Sequence, residues 1–184
     1  MKTLIINGSP RLNGDTAALL RELKSHLTGE ITELSAYRDD ISPCVDCRYC
    51  YEHAECAIHD DMQTVYDDDF EVVVLASPVY YGTLTGPMLS LISRLQIHHT
   101  AKHMRGVPIP VRPKVGAVIL TGGGKGNPDG AVRMARITLR ILGATLDDSD
   151  IATSFNTDTL PARDDEAAKA AVRGIAERLN GGAG

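Results

Sequence analysis

The chain lacks tryptophan and holds only two phenylalanines in 184 residues. Against that background the adjacent Tyr80 and Tyr81 are a local concentration of flat, polar-tipped surface. Cysteine is missing everywhere outside residues 44–56, where all four occur. A chain this long has enough apolar content for a proper core and does not need a disulfide scaffold. An excess of basic charge is missing too: the formal net charge is −5, which argues against a nucleic-acid partner. No apolar run approaches the roughly 20 residues that a membrane helix needs. The opening run "KTLIINGSP" is too short for a signal-peptide core and meets a turn instead of a small-residue cleavage site. A cytoplasmic protein without a membrane partner is expected. In that compartment clustered cysteines more often signal metal or redox chemistry than disulfides.

What is present alternates between two patterns. "TLIIN" reads as a short apolar strand, followed from Thr16 by a helix with Leu19, Leu20, Leu23 and Leu27 at helical spacing, closed by Gly29. "EITELSAY" reads as a second strand, and "DDMQTVYDDD" as a short helix that Asp60 or Asp61 could cap. "EVVVLAS" is continuously apolar and β-branched, as a strand buried on both faces requires, and a helix over Met88, Leu89, Leu91, Ile92 and Leu95 succeeds it. "VGAVILT" repeats the buried-strand pattern before a helix with Val132, Ala135, Leu139 and Leu142 on one face. "ATLDDSDIA" predicts a weak edge strand. A last helix starts at Asp164, with Ala168, Ala171, Val172, Ile175 and Leu179 inward and an Asp165–Lys169 pair outward. The expected fold class is α/β: one domain over residues 1–184, a five-stranded parallel sheet with helices on both faces. Residues 38–60 form a cysteine-rich insertion loop in this reading and residues 180–184 a flexible tail.

Ligands of such sheets bind outside the carboxyl ends of the strands, where strand order reverses. Three loops should meet there. "NGSPRLNGDT" runs into the first helix. Its small residues let backbone N–H groups converge at a helix start, and Ser9, Arg11, Asn13 and Thr16 could donate to a phosphate. "SPVYYGTLTGP" carries Pro78, Tyr80 and Tyr81, suited to lie beside a heteroaromatic ring. "TGGGKGN" lets backbone amides approach a ligand. Neither G-x-x-x-x-G-K-[ST] nor G-x-G-x-x-G occurs, which favours a mononucleotide with one phosphate over ATP or a tightly held dinucleotide.

The combination of "NGSPRLNGDT", "ASPVYYG" and "TGGG" resembles the flavodoxin-like NAD(P)H-dependent FMN reductases across essentially the whole chain. The resemblance implies a three-layer flavodoxin-like sandwich and a flavin-dependent oxidoreductase. By it, Ser9, Pro10, Arg11, Asn13 and Thr16 would surround the FMN phosphate. Pro78, Val79, Tyr80, Tyr81 and Gly82 would line the isoalloxazine, with Thr121, Gly122, Gly123 and Gly124 flanking it from the other side. Relatives often carry Lys and Asp on the following helix where Leu89 and Ser93 stand here, while Arg94 is kept.

Cys44, Cys47, Cys50 and Cys56 read C-x2-C-x2-C-x5-C. Closely spaced thiols of this kind can wrap a [4Fe–4S] cubane, as the compact ferredoxin motif does at its start. Structural zinc sites more often use two C-x-x-C knuckles a dozen or more residues apart, although His53 and His59 keep zinc open, and free redox-active thiols are a third reading. The same spacing after the second strand resembles the iron–sulfur flavoproteins, a branch of this family. That resemblance implies electron transfer between a [4Fe–4S] cluster and FMN, a redox carrier such as ferredoxin or a small-molecule acceptor as partner, and a homodimer or homotetramer. The rival readings are an NAD(P)H-dependent FMN or quinone reductase without a functional cluster, in which NAD(P)H is the donor, and a non-catalytic metal- or flavin-binding protein. The stretch "IHHTAKHMRGVPIPVRPK" reads as a solvated or dimer-contact loop, or as a basic receiver for a dinucleotide or an acidic carrier.

Overall fold

A computed structural model describes residues 1–124 and 127–181. Strands β1 (Lys2–Asn7), β2 (Glu30–Ser35), β3 (Val72–Pro78) and β4 (Lys114–Gly122) lie in the order β2-β1-β3-β4, all parallel. The outer edge beyond β4 is made of two pieces, β5 (Ala144–Thr145) and β6 (Ile151–Phe155), both parallel to it. The predicted single edge strand over 144–152 is therefore split by a 3-10 turn at Asp148–Asp150, and its longer part starts where the expectation ended. The polar run Asp147–Asp150 offers no alternating face to bury, so the chain leaves the sheet there and returns at Ile151.

The continuous apolar runs are explained by burial on both faces. Leu4, Ile6, Val73, Leu75, Val118 and Leu120 face one core, and Ile5, Val72, Val74, Ala76, Ala117 and Ile119 face the other. Helices α1 (Asp15–His26) and α6 (Glu166–Gly181) cover the second face. The first is covered by α2 (Gln63–Tyr66), α3 (Gly86–Ser93) and α5 (Asp129–Ile141). In α6 the inward stripe includes Ala176, whereas Ala171 is exposed. Lys169 pairs with Glu166 and not Asp165, whose carboxylate instead accepts from the Ser154 hydroxyl and the Ala168 N–H. Asn180 continues α6 and ties it to the α1 end through Thr28 and His26, so residues 180–181 are helical, and the rest of the expected tail, 182–184, lies outside the described residues.

Residues 97–114 are not one open loop. Gln96–His103 forms helix α4, burying Ile97, Thr100 and Ala101. Arg112 and Lys114 are bound to Asp68 and Asp69. Two of the stretch's four lysine and arginine charges are thus paired within the chain, which weakens the electrostatic-receiver reading.

The order β2-β1-β3-β4 reverses direction between β1 and β3, and α1 and α3 leave this point toward opposite faces. The registers Asn7–Ala76 and Pro78–Thr121 bring the ends of β1, β3 and β4 level, so their three loops emerge side by side.

Candidate functional site

The first rim loop is held from below and open above. Asn7 Oδ1 accepts from Ser9 N–H at 2.9 Å, and the buried Ser9 hydroxyl accepts from Arg11 N–H at 3.3 Å. Gly14 leads into α1 in extended conformation with no side-chain cap. The N–H groups of Leu12 and Asn13 find no acceptor among the described residues. The Arg11 guanidinium is mostly exposed, with only a long pair to Asp15. Free backbone donors at the start of a 12-residue helix, beside an exposed guanidinium, fit a phosphate group. Thr16 stands differently: its hydroxyl is buried and lies 2.8 Å from that of Thr121, so the pair ties the first loop to the third.

The second loop is a tight hairpin. Tyr80 and Thr83 exchange backbone hydrogen bonds, and the two residues between them, Tyr81 and Gly82, both have positive φ, 52° and 77°. Positive φ is costly for a tyrosine, yet Tyr81 is held there fully exposed, at 107% relative accessibility. Pro78 and Val79 are half-buried, Val79 N–H donates to the Thr121 carbonyl at 2.7 Å, and the Thr85 hydroxyl donates to Gly8 O at 2.8 Å. Gly130, at the start of α5, has no Cβ to collide with the Gly82 carbonyl, which would lie only 2.4 Å from it. Of the third loop, Gly122 and Gly123 are half-buried and Gly124 is exposed; Lys125 and Gly126 lie outside the described residues. Pro10 and Asn13 stand on the loop after β1 with Ser9 and Arg11, and Tyr80 and Tyr81 are exposed on the loop after β3.

The four cysteines lie elsewhere. All are free, and all line one small cavity of about 20 Å³ together with Arg94, Gln96 and Ile97. Among the described residues they do not form a ready cage for a metal ion. The loop makes few regular bonds: Asp46 and Arg48 have positive φ, a single 3-10 turn spans Tyr49–Tyr51, and the Tyr49 and His53 rings stack at 3.9 Å. A set of four soft thiols lining one cavity fits iron or zinc in chemistry, and the loop must tighten to bring them together.

The stems of this loop are firmly closed. Arg94 Nη1 donates to the Ser42 carbonyl at 2.9 Å and to Asp60 Oδ2 at 2.6 Å, and Nη2 donates to the Ile58 carbonyl at 2.8 Å. Asp60 also accepts from Ser42 and Met62 N–H, and the Ser93 hydroxyl accepts from Cys44 N–H. The two charged side chains are 1% and 4% exposed. Burial opposes the Asp60 charge, but Arg94 and the two backbone donors outweigh it and hold its carboxyl below the usual range. Burial likewise opposes the charge on Arg94, and the hydrogen-bonded Asp60 carboxylate overcomes it, so the guanidinium stays charged. Burial pushes the Tyr66 phenol well up, and its hydroxyl donates to the Arg94 carbonyl. Sequence reasoning noticed Arg94 as retained and Asp60 as a helix cap, and missed that they form one buried pair. The available signal was an arginine placed where an apolar helix should face the core.

A doubly wound parallel sheet with a phosphate-ready loop at its β1/β3 switch point is a mononucleotide-binding architecture. The family profile described as NADPH-dependent FMN reductase matches residues 1–157, and the chain belongs to that family of flavin-dependent oxidoreductases. Two iron–sulfur flavoproteins of Methanocaldococcus jannaschii are 31% and 36% identical over 127 and 129 residues, and these alignments cover 66% and 67% of this chain. The chain is similar to both over that stretch. The matched part spans about 62% of either relative's length. An FMN-dependent NADH-azoreductase of Bacillus anthracis, solved in complex with FMN, shares the fold with a TM-score of 0.66 at 15% identity, covering 98% of this chain and 100% of that one.

Proposed function

We propose that this protein is an electron-transfer flavoprotein that holds FMN on the rim and a [4Fe–4S] cluster on Cys44, Cys47, Cys50 and Cys56. The observation that carries the reading is the placement of every thiol in the chain around one cavity, at the far end of the helix that starts at the rim. Helix α3 leaves the Tyr80–Thr85 loop at Gly86 and ends at Ser93, where Cys44 is tethered. Its length puts about 10 Å between the two ends. Bound FMN supplies one- and two-electron chemistry, and a bound cluster supplies single electrons.

The chain's own residues bind and orient. The N–H groups of Leu12 and Asn13 and the Arg11 guanidinium receive the phosphate, and Tyr80 and Tyr81 present flat surfaces to the ring. Arg94 and Asp60 hold the stems from which the thiols project. No proton-transfer residue is assigned. The partners are a single-electron carrier of the ferredoxin kind and a small-molecule acceptor, the assembly is a homo-oligomer, and the compartment is the cytoplasm.

Protein purified without oxygen is expected to carry one FMN and about four irons per chain, with a broad absorbance shoulder near 400 nm as an order-of-magnitude position. Flavin without iron after anaerobic reconstitution would falsify the cluster half. A second reading, an NAD(P)H-dependent FMN or quinone reductase with non-catalytic cysteines, is favoured by the match of residues 1–157 to the profile described as NADPH-dependent FMN reductase. Rapid NADPH oxidation that survives Cys44→Ala, with no iron present, supports that reading instead.

A further inference from the structure

Three side chains have a buried nitrogen or oxygen without a partner among the described residues: Thr3, Arg105 and Arg94, the last through Nε. Arg94 is the case that matters here. Its two terminal nitrogens donate to Ser42, Ile58 and Asp60, and these acceptors lie on both sides of the cysteine run. A single guanidinium therefore closes a loop of residues 43–57 at its base. Arg94 also lines the cavity shared by the four cysteines. Cys56 lines that same cavity, and lines a second one together with Tyr66. A buried N–H without an acceptor is unfavourable, and native structures leave few unexplained. Here the unexplained donor belongs to a cation at the wall of a thiol pocket.

We infer that Arg94 is the positioning residue of the cysteine loop: its terminal nitrogens lock the two stems, and its free Nε–H receives the negative charge that Cys56 sulfur carries once it ligates metal. The inference rests on reading the four cysteines as metal ligands, and it assigns to this chain a residue that acts through Cys56 without being a ligand. The stem lock brings both ends of the loop together before metal arrives, reducing the ordering that metal uptake must supply. The Nε–H and its positive charge favour the more negative, reduced state of any metal centre bound there. Ser93 adds to the lock by accepting from Cys44 N–H, at a position where an aspartate would bring a second negative charge toward the thiolates.

The test uses the full chain and the variants Arg94→Met and Arg94→Lys, reconstituted without oxygen with iron and sulfide. Arg94→Met is expected to lose about 10–100-fold in iron affinity, the usual consequence of removing a group that orients a ligand. FMN affinity should stay within about twofold of wild type, since Arg94 is at the opposite end of α3 from the rim. In metal-free protein, the four thiols should react faster with a disulfide reagent, because the stems part. Arg94→Lys keeps a charge and loses Nε, so it should still load iron but titrate at a more negative midpoint potential. If Arg94→Met does not fold, Arg94→Lys and its potential carry the test alone. Unchanged iron uptake, thiol reactivity and potential in both variants overturn this inference and leave the proposed function standing. A wild-type protein that binds FMN and takes up no iron removes both.

Discussion

The two ends of helix α3 carry two sites built on opposite principles. At Gly86 the rim consists of the ends of buried parallel strands, and its loops are joined by backbone and hydroxyl links: Val79 to Thr121, Thr16 to Thr121, Thr85 to Gly8. At Ser93 the cysteine loop has almost no regular structure and hangs from one buried ion pair. A rim site follows from the sheet itself, because parallel strands must end level and their connections must start there. A site on an insertion inherits nothing from the sheet and needs a clamp of its own. Arg94 and Asp60 are that clamp, placed at the C-terminal end of α3.

The sharpest way to separate the two sites is Cys50→Ser. Iron per chain should fall from about four to below one, with FMN binding retained, measured by metal and flavin analysis of protein kept anaerobic. Loss of both cofactors together would mean that the regions are not independent.

Next in size is Asp60→Asn, which leaves the Arg94 charge buried without its partner. A loss of about 3 kcal/mol is expected in urea unfolding of the metal-free protein. The pH dependence has a definite sign. The Asp60 carboxyl is depressed in the folded protein, so its contribution is complete above the ordinary aspartate value of about 3.9 and fades as pH falls through the depressed one. The gap between wild type and Asp60→Asn should therefore narrow on acidification from pH 7 to below about pH 4. A gap that widens on acidification would contradict the assignment.

On the rim, Arg11→Ala should weaken FMN about tenfold, the equivalent of one charge-assisted hydrogen bond of about 1.5 kcal/mol, and leave iron content alone. Isothermal titration of metal-free protein with FMN measures it. The smallest effect is expected for Tyr81→Gly. The positive φ of Tyr81 suits glycine, and that relief offsets glycine's greater freedom in the unfolded chain, so stability should move by less than about 0.5 kcal/mol. FMN affinity should fall, because the exposed ring is gone. A melting curve and a flavin titration on the same sample separate the two effects.

Much of the rim could be read before any coordinates. The doubly buried runs at Val72–Ala76 and Val115–Thr121 announce parallel strands, and loops after such strands meet at one edge. Helix α4 was hidden because its inward face is only Ile97, Thr100 and Ala101 among histidines. The split edge was hidden because acidic residues 147–150 sit between two short strand pieces. Arg112 and Lys114 looked free because their partners, Asp68 and Asp69, are more than 40 positions away.

Local pattern alone determined the alternation of strand and helix, the clustering of all thiols in thirteen positions and the phosphate-ready turn into α1, since each depends on neighbours within a few residues. Tertiary structure decided which polar groups remained available. It bound the Thr16 hydroxyl to Thr121, neutralised Arg112, and buried Arg94 against Asp60 with its Nε left unpaired among the described residues. The physical reason is that a hydrogen bond or ion pair is settled by distance in space, and residues 16 and 121, or 60 and 94, acquire that distance only when the sheet has closed.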